Sequence, residues 1–390
     1  MIYIRPKEGV TVWGGFGGAI TEATAYNYSL LSPTKRRAFL KAYYEDMGYT
    51  WGRVSIGSND FCLAPFEYTA EASLEDFSVE HDKRYVLPML SDIYKIRELN
   101  LVAAPWSPPS FMKSNRKLTG GGKLKKKYYE TYANYLCLFL EAYRRYGFNI
   151  DFLSVQNEPE AAQRWESCTW SLSEQRDFID NYLFPKLEGG ETEIIVWDHN
   201  KEKLCKVASK LLSEKVAGIG FHNYSGIHEE QVRLTRQAFP RALMVQTEGC
   251  AAYEGSWQGA AEYYLRDVIA DMNGGANVYI DWNMLLDQEG GPSWADNPVK
   301  APVVLNEGRD DFVRTPIFEY LRVVARAFPP GTRIVRSVVE EDELLAVAGV
   351  YEGDLRIVLM NTAGHSQRFD IDVEGFMITG IMPPHTILQR

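Results

Sequence analysis

Two apolar runs in this chain end abruptly on a carboxylate. LSVQNEPE (153–160) passes from aliphatic residues into Asn157, Glu158 and Pro159, and ALMVQTEGC (242–250) does the same at Glu248. A carboxyl placed where a buried segment meets water can give or take a proton. Two that face each other can divide a reaction between them: hydrolysing a glycosidic bond with retention needs a pair about 5 Å apart, one protonating the leaving oxygen and the other attacking the anomeric carbon. In that scheme Glu158 is the acid/base. It must keep its proton near neutral pH, which a pocket with a negative neighbour promotes by raising its pKa. Glu248 is the ionised nucleophile, held by donors such as the Tyr224 hydroxyl, and Asn157 donates to the sugar 2-hydroxyl. The same two Glu also read as salt-bridge partners on a rim, and spacing alone does not separate the readings.

Something must bring residues 90 positions apart to one place. Eight short apolar runs alternate with helical segments: FGGAIT (16–21), WGRVSIG (51–57), LNLVAAPW (99–106), IDFLSVQ (150–156), EIIVWD (193–198), VAGIGFH (216–222), ALMVQTE (242–248) and ANVYIDW (276–282). Helices are expected at 32–46, where Ser32 caps and Pro33 takes the first helical position, and at 126–147, stopped by Gly147. This alternation predicts an α/β fold, a (β/α)8 TIM barrel over 13–329, with an open doubly wound sheet as its rival. In a barrel all C-terminal strand ends share one mouth. The ends here carry Asn59-Asp60, Trp106, Asn157-Glu158, Asp198-His199, His222-Asn223-Tyr224, Glu248 and Asp281-Trp282-Asn283. Trp106, Trp282 and Trp170 offer flat faces for a pyranose, and each reads equally as packing. Asp60 can accept bonds from sugar hydroxyls, and GGPSWADN (290–297) reads as a loop that closes over the pocket and brings Asn297 to it.

After Pro329-Pro330-Gly331 helices give way to short strands, TRIVRSVV, LLAVAGVY, LRIVLMNT, QRFDIDV and HTILQR, with turns at Glu352-Gly353-Asp354 and Thr362-Ala363-Gly364. This predicts a C-terminal β-sandwich side domain over 330–390, joined by the N-terminal strand in 1–12.

Composition narrows the partners. The net charge is −10, against a nucleic-acid ligand, and aromatics reach 13% of 390 residues, suited to a protein that stacks rings. No run of 18 apolar residues suggests membrane insertion, and MIYIRPKEGV has no signal-peptide pattern. The expected location is cytoplasmic, although a mature secreted chain would read the same way. The five Cys lack a CxxC pair and are expected as free thiols. With six His and no pair at metal-ligand spacing beside a carboxylate, neither a metal nor a cofactor is expected. KSNRKLTGGGKLKKK (113–127) holds seven basic residues and no acidic one. It reads first as a solvated loop and helix start, second as a dock for an anionic surface; GGGK lacks the ending of a phosphate loop.

Six motifs in order, FGGAITEATAYN, RVSIGSNDF, APWSPPSFMK, SVQNEP, TEGC and DWNMLLDQEGGPSW, resemble glycoside hydrolase family 30, in particular its glucosylceramidase-like branch. The resemblance runs from about Trp13 to the C-terminal strands. It implies a barrel with a β side domain, retaining action on β-glucosides of glucosylceramide type, Glu158 as acid/base and Glu248 as nucleophile. It also implies a carbohydrate or glycolipid substrate held by Asp60, Trp106, Asn157, Trp282 and Asn297; His222 and Tyr224, from the end of the sixth run, complete the candidate substrate-binding set. Two departures bear on the sugar and aglycone. His222-Asn223-Tyr224 stands where lysosomal glucosylceramidases have His-Trp-Tyr, and EAAQRWESCTW after Pro159 is remodelled, bringing Glu160, Arg164, Trp165 and Glu166 near the acid/base. A β-xylosidase or β-1,6-glucanase shares the same chemistry, and a noncatalytic carbohydrate-binding protein is the reading outside it. Exo or endo action, linkage and oligomeric state are left open by the sequence.

Overall fold

The structure is a computed structural model describing residues 1–341 and 343–389; Asp342 and Arg390, both in the expected side domain, lie outside the described residues. After β1 (Ile2–Val12), eight parallel strands close a barrel: β2 (Gly15–Ala19), β3 (Trp51–Ile56), β4 (Asn100–Pro105), β5 (Phe152–Ser154), β6 (Glu193–Asn200), β7 (Gly218–His222), β8 (Leu243–Gly249) and β10 (Val278–Asp281), with β10 returning to β2. All eight expected runs supply one strand each. Strands covered on both faces favour continuous apolar sequence, and these runs have it.

Alternation along the strands then sets what fills the lumen. Trp51, Val102, Ile195, Val245, Val278 and Ile280 form a small apolar cluster of their own, separate from the main core between strands and helices. Two residues further along β3, on the same face as Trp51, comes Arg53, fully buried. The lumen therefore changes within one layer from an apolar floor to a charged upper tier, and the tier lies toward the mouth.

The helices outside are fixed by local signals. Ser32 caps the helix Pro33–Leu40, which continues as a π-helical turn to Asp46, and Tyr129–Arg145 covers the second expected helix. Trp257–Gly274 begins at a Ser256 cap and ends at Gly275, whose φ of +102° suits only glycine at low cost. Close strand approach also calls for glycine at Gly218, where an added Cβ would stand 2.1 Å from the Leu243 carbonyl oxygen.

The side domain is one continuous seven-stranded sheet in the order β19-β18-β1-β15-β16-β17-β20, formed by β15 (Arg333–Val339), β16 (Leu344–Tyr351), β17 (Asp354–Asn361), β18 (Gln367–Val373), β19 (Phe376–Met382) and β20 (Thr386–Gln389) around the N-terminal β1. Strand β19 is an addition to the sequence-based expectation. One face of the sheet contributes Ile4, Val335, Ala346, Ala348, Leu359 and Phe369 to a separate core. The opposite face sends Ile334, Val347, Val358 and Met360 into the main core beside the barrel helices. Short strands dress the barrel mouth: β9 (Ala251–Ala252) pairs with β12 (Val299–Lys300), and β11 (Leu285–Leu286), β13 (Val303–Leu305) and β14 (Phe312–Arg314) form a small sheet.

Candidate active site

The upper tier of the lumen is organised around one cation. Arg53 donates through Nη1 to Glu248 Oε2 at 2.6 Å and through Nη2 to Asn157 Oδ1 at 2.8 Å and Asp198 Oδ2 at 2.9 Å. Its guanidinium lies 4.8 Å from the ring centre of Trp106 and 5.6 Å from that of Trp282. A guanidinium is planar, permanently charged and carries several donors, so it can orient three side chains at once. The other Glu248 oxygen accepts from the Tyr224 hydroxyl at 2.7 Å. Both oxygens of Glu248 thus meet strong donors, which fix the orientation of the carboxyl group.

Asp198 is the second organiser. It is fully buried and accepts from Arg53, from Ser154 Oγ at 2.6 Å, from Thr247 Oγ1 and, through Oδ1, contacts His222 Nε2 at 3.1 Å. Burial alone would raise its pKa, yet Arg53 and His222 outweigh burial and hold it below the ordinary carboxylate range. Its place comes from an irregularity in β6, where the pairing with β7 slips between Trp197 and His199. Trp197 and Asp198 both take left-handed backbone conformations, φ +72° and +51°. Such conformations cost about 1–3 kcal/mol each and persist where surrounding contacts fix them. Here the slip turns a side chain into the lumen that regular alternation would direct elsewhere. Just beyond, buried Lys201 is held between Asp267 and Asp271 of the Trp257–Gly274 helix, anchoring the loop that follows β6.

Glu158 also has a positive φ, +46°, and its amide donates to the Asp198 carbonyl at 2.9 Å. Its Oε1 stands 3.3 Å from His222 Nδ1 and 3.7 Å from His199 Nδ1. This changes the electrostatic expectation for the acid/base. Burial raises the Glu158 pKa, but the hydrogen bond from His222 and the nearby imidazoles of His222 and His199 outweigh it, and the group lies below the usual carboxylate range in the resting pocket. The counterpart is His222: burial opposes its charge, while Glu248, Asp198 and Glu158 around it push its pKa up to about 9. The nearest influence on Glu158 is cationic, not the negative neighbour the sequence suggested. One proton belongs to the Glu158–His222 pair, and at rest it sits on the imidazole.

The remaining residues fall on one side of this centre. Asp60 is buried, accepts from Asn297 Nδ2 at 2.8 Å, and burial pushes its carboxyl up to about 8. Trp106 and Trp282 stack on each other with ring centres 5.3 Å apart and planes 20° apart, so they build one wall together. Asp60, Trp106, Asn157, Glu158, His222, Tyr224, Glu248, Trp282 and Asn297 all stand around this mouth. Trp170 does not. It packs among Tyr129, Tyr132 and Phe178 behind the strand, with its indole N–H on Gln156 Oε1.

Two of the seven basic residues of 113–127 meet carboxylates and one is buried against carbonyls. Lys113 is buried and donates to the Leu118 and Ser167 carbonyls, Lys123 pairs with Glu174 and Lys126 with Asp177. Arg53, Ser154 and Thr247 escape the reading of the sequence, and Asp198 enters it only as one of the strand-end residues, without its role as organiser. Arg53 did leave a signal, a charge inside the apolar run WGRVSIG.

A closed parallel barrel with a carboxylate-lined, tryptophan-walled mouth is the architecture of a glycoside hydrolase. Residues 13–326 match the sequence profile of the glycosyl hydrolase family 30 TIM-barrel domain, and the chain belongs to that family. It is 28% identical to the lysosomal acid glucosylceramidase of Mus musculus, over 93% of this chain and 77% of that one. Among solved structures it is similar to SrfJ from Salmonella typhimurium, with TM-score 0.95 and 31% identity, covering 100% of this chain and 92% of that one. It is also similar to the endo-β1,6-glucanase BT3312, with TM-score 0.88 and 26% identity over 100% and 92%.

Proposed function

We propose that this chain is a retaining β-glycosidase acting on β-glucosides, with glucosylceramide-like glycolipids as the first candidates. The observation that carries the reading is the unequal treatment of the two Glu. Glu248 has one oxygen held by Arg53 and the other by Tyr224, which fixes its orientation for attack as a nucleophile requires. Glu158 shares a proton with His222 across 3.3 Å, as an acid/base requires. An uncharged sugar entering the pocket displaces water from Glu158 and disfavours its anionic form, so the shared proton moves from His222 to Glu158 and then to the leaving oxygen. Glu248 attacks the anomeric carbon in the same step. In the second half, Glu158 takes a proton from the incoming water while that water releases the sugar from Glu248.

The aglycone side supports a lipid. Tyr224, Ile227 and Tyr253, on the loops after β7 and β8, are 40%, 37% and 37% exposed beside the mouth, an apolar rim suited to an acyl or sphingoid chain. The similarity to an endo-β1,6-glucanase favours a β-1,6-glucan as second reading.

The test is hydrolysis of p-nitrophenyl β-glucoside, β-xyloside, β-fucoside and β-galactoside, with α-glucoside as control, together with a fluorescent glucosylceramide. We expect turnover of the β-glucoside. Glu158→Gln should lower kcat/KM about 10²–10⁴-fold on the lipid substrate, and Glu248→Gln should abolish turnover. Inversion at the anomeric carbon, read by NMR of the first product, would sink the retaining scheme; binding without turnover would leave a lectin-like protein.

A further inference from the structure

We infer that Asp281 is kept as a neutral acid whose proton, relayed through the Tyr264 hydroxyl, pins the strand end that carries Glu248 to the strand end that carries Trp282. Asp281 is then a positioning residue, acting on the nucleophile from behind the barrel wall. What concerns turnover in this rests on the β-glucoside reading above.

Val278 and Ile280 fill the lumen, so alternation along β10 turns Tyr279 and Asp281 outward, into the layer between the barrel and the helix Trp257–Gly274. Tyr264 of that helix meets two oxygens there: its Oη stands 2.9 Å from Asp281 Oδ1 and 3.1 Å from the Gly249 carbonyl oxygen. A phenol has one hydrogen to give. An ionised Asp281 and a carbonyl both only accept, so that one hydrogen would serve one of them and leave the other contact unpaired. With a proton on Asp281 Oδ1 both contacts are hydrogen bonds: Asp281 donates to Tyr264, and Tyr264 donates to Gly249. The same Gly249 carbonyl accepts from the Trp282 amide at 2.8 Å, and Gly249 directly follows Glu248. An added Cβ at Gly249 would stand 2.6 Å from the Tyr279 hydroxyl, so this stretch of backbone lies hard against the same layer.

The surroundings favour the acid. Asp281 is fully buried, and its Oδ2 has no hydrogen-bond partner among the described residues. Asp198 is buried as deeply, but Arg53 stands 2.9 Å and His222 3.1 Å from its oxygens. The titratable groups that face Asp281 are Tyr43 from the π-helical turn, Tyr49 before β3, Tyr264 from the helix, Tyr279 from its own strand and Cys250 beyond β8. None of them is a cation. A buried carboxylate without a counter-charge is costly, and burial accordingly drives the Asp281 pKa well above the ordinary range.

The experiment starts from Asp281→Asn, a neutral isostere that can still donate to Tyr264. An infrared difference spectrum, wild type minus Asp281→Asn at pH 7, should show the carbonyl stretch of a protonated carboxyl in the wild type alone. Asp281→Asn should gain in Tm on the wild type as pH rises above about 4, because the unfolded acid releases a proton that the folded one keeps. On p-nitrophenyl β-glucoside it should retain most of kcat. Tyr264→Phe and Asp281→Ala, which break the relay from either end, should lower kcat about 10-fold with KM nearly unchanged, the worth of one hydrogen bond felt mainly in the transition state. A missing carboxyl band, an Asp281→Asn chain that fails to fold or loses Tm against the wild type as pH rises, or one as impaired as Asp281→Ala would show that the ion is required and overturn the inference. Full kcat in both Tyr264→Phe and Asp281→Ala would overturn the positioning role. If the wild type turns over no β-glucoside, the β-glucoside reading falls, while the infrared and melting measurements still decide where the proton is.

Discussion

Residue by residue, the site is a set of charges that tolerate burial only in company. Arg53 and Asp198 are both fully buried, and removing one partner of such a pair leaves the other uncompensated. Arg53→Met should therefore cost about 3–5 kcal/mol of stability in urea melts, and adding Asp198→Asn should recover part of it, a non-additivity that a double-mutant cycle reads directly. His222 makes a pH prediction. Its folded pKa of about 9 stands above the unfolded value of about 6.5, so its stabilisation is complete below pH 6.5 and is lost as pH rises through about 9. His222→Gln should flatten the melting temperature over that window. Asp60 has the same sign: folded near 8 and unfolded near 4, it lowers stability as pH climbs between those values. Asp60→Asn should gain in Tm at pH 8 relative to wild type while losing sugar affinity. Glu158 and Glu248 were legible because each ends an apolar run. Asp198 stood at a strand end too, but the backbone slip that turns it inward has no signature in EIIVWDHN.

At the level of elements, the eight barrel strands were readable because full burial on both faces demands unbroken Val/Ile-rich runs. The helix ends were readable because Ser32 and Gly147 are local signals. Strand β19 escaped because FMITGIM has no clean alternation: Phe376 and Ile381 are 69% and 71% exposed while Met382 is buried. The tie between two loops, from Arg164 to the Asp296 carbonyl, escaped for a different reason. The two lie 132 residues apart, and nothing local announces that they meet. Strand packing itself is testable at Gly218, where Ala would push a methyl against the Leu243 carbonyl. We expect Gly218→Ala to destabilise by about 1–3 kcal/mol or more in equilibrium unfolding, whereas Ala at Gly353, in a turn where no other described residue comes within 4 Å of an added Cβ, should show only the smaller penalty of its positive φ.

For the molecule as a whole, the barrel and the side sheet are two cores with one sheet between them. Because Ile334, Val347, Val358 and Met360 pack toward the barrel while Val335, Ala346, Ala348 and Leu359 pack away from it, neither part can lose the other without exposing apolar surface. Calorimetry should show a single transition, and a chain cut after residue 329 should fail to fold; two separated transitions would contradict this. The division of the chain into 13–329 and 1–12 with 330–390 remains a proposal that the same truncation addresses. The position of β1 carries a further consequence, for biosynthesis. Its partners β15 and β18 follow the entire barrel in sequence, so on a ribosome β1 emerges long before either exists. At roughly 5–20 residues per second that interval lasts tens of seconds. During it the edge-prone segment IYIRPKEGVTV must stay unpaired, and its own Pro6, Lys7 and Glu8 interrupt what would otherwise be an adhesive strand in the nascent chain.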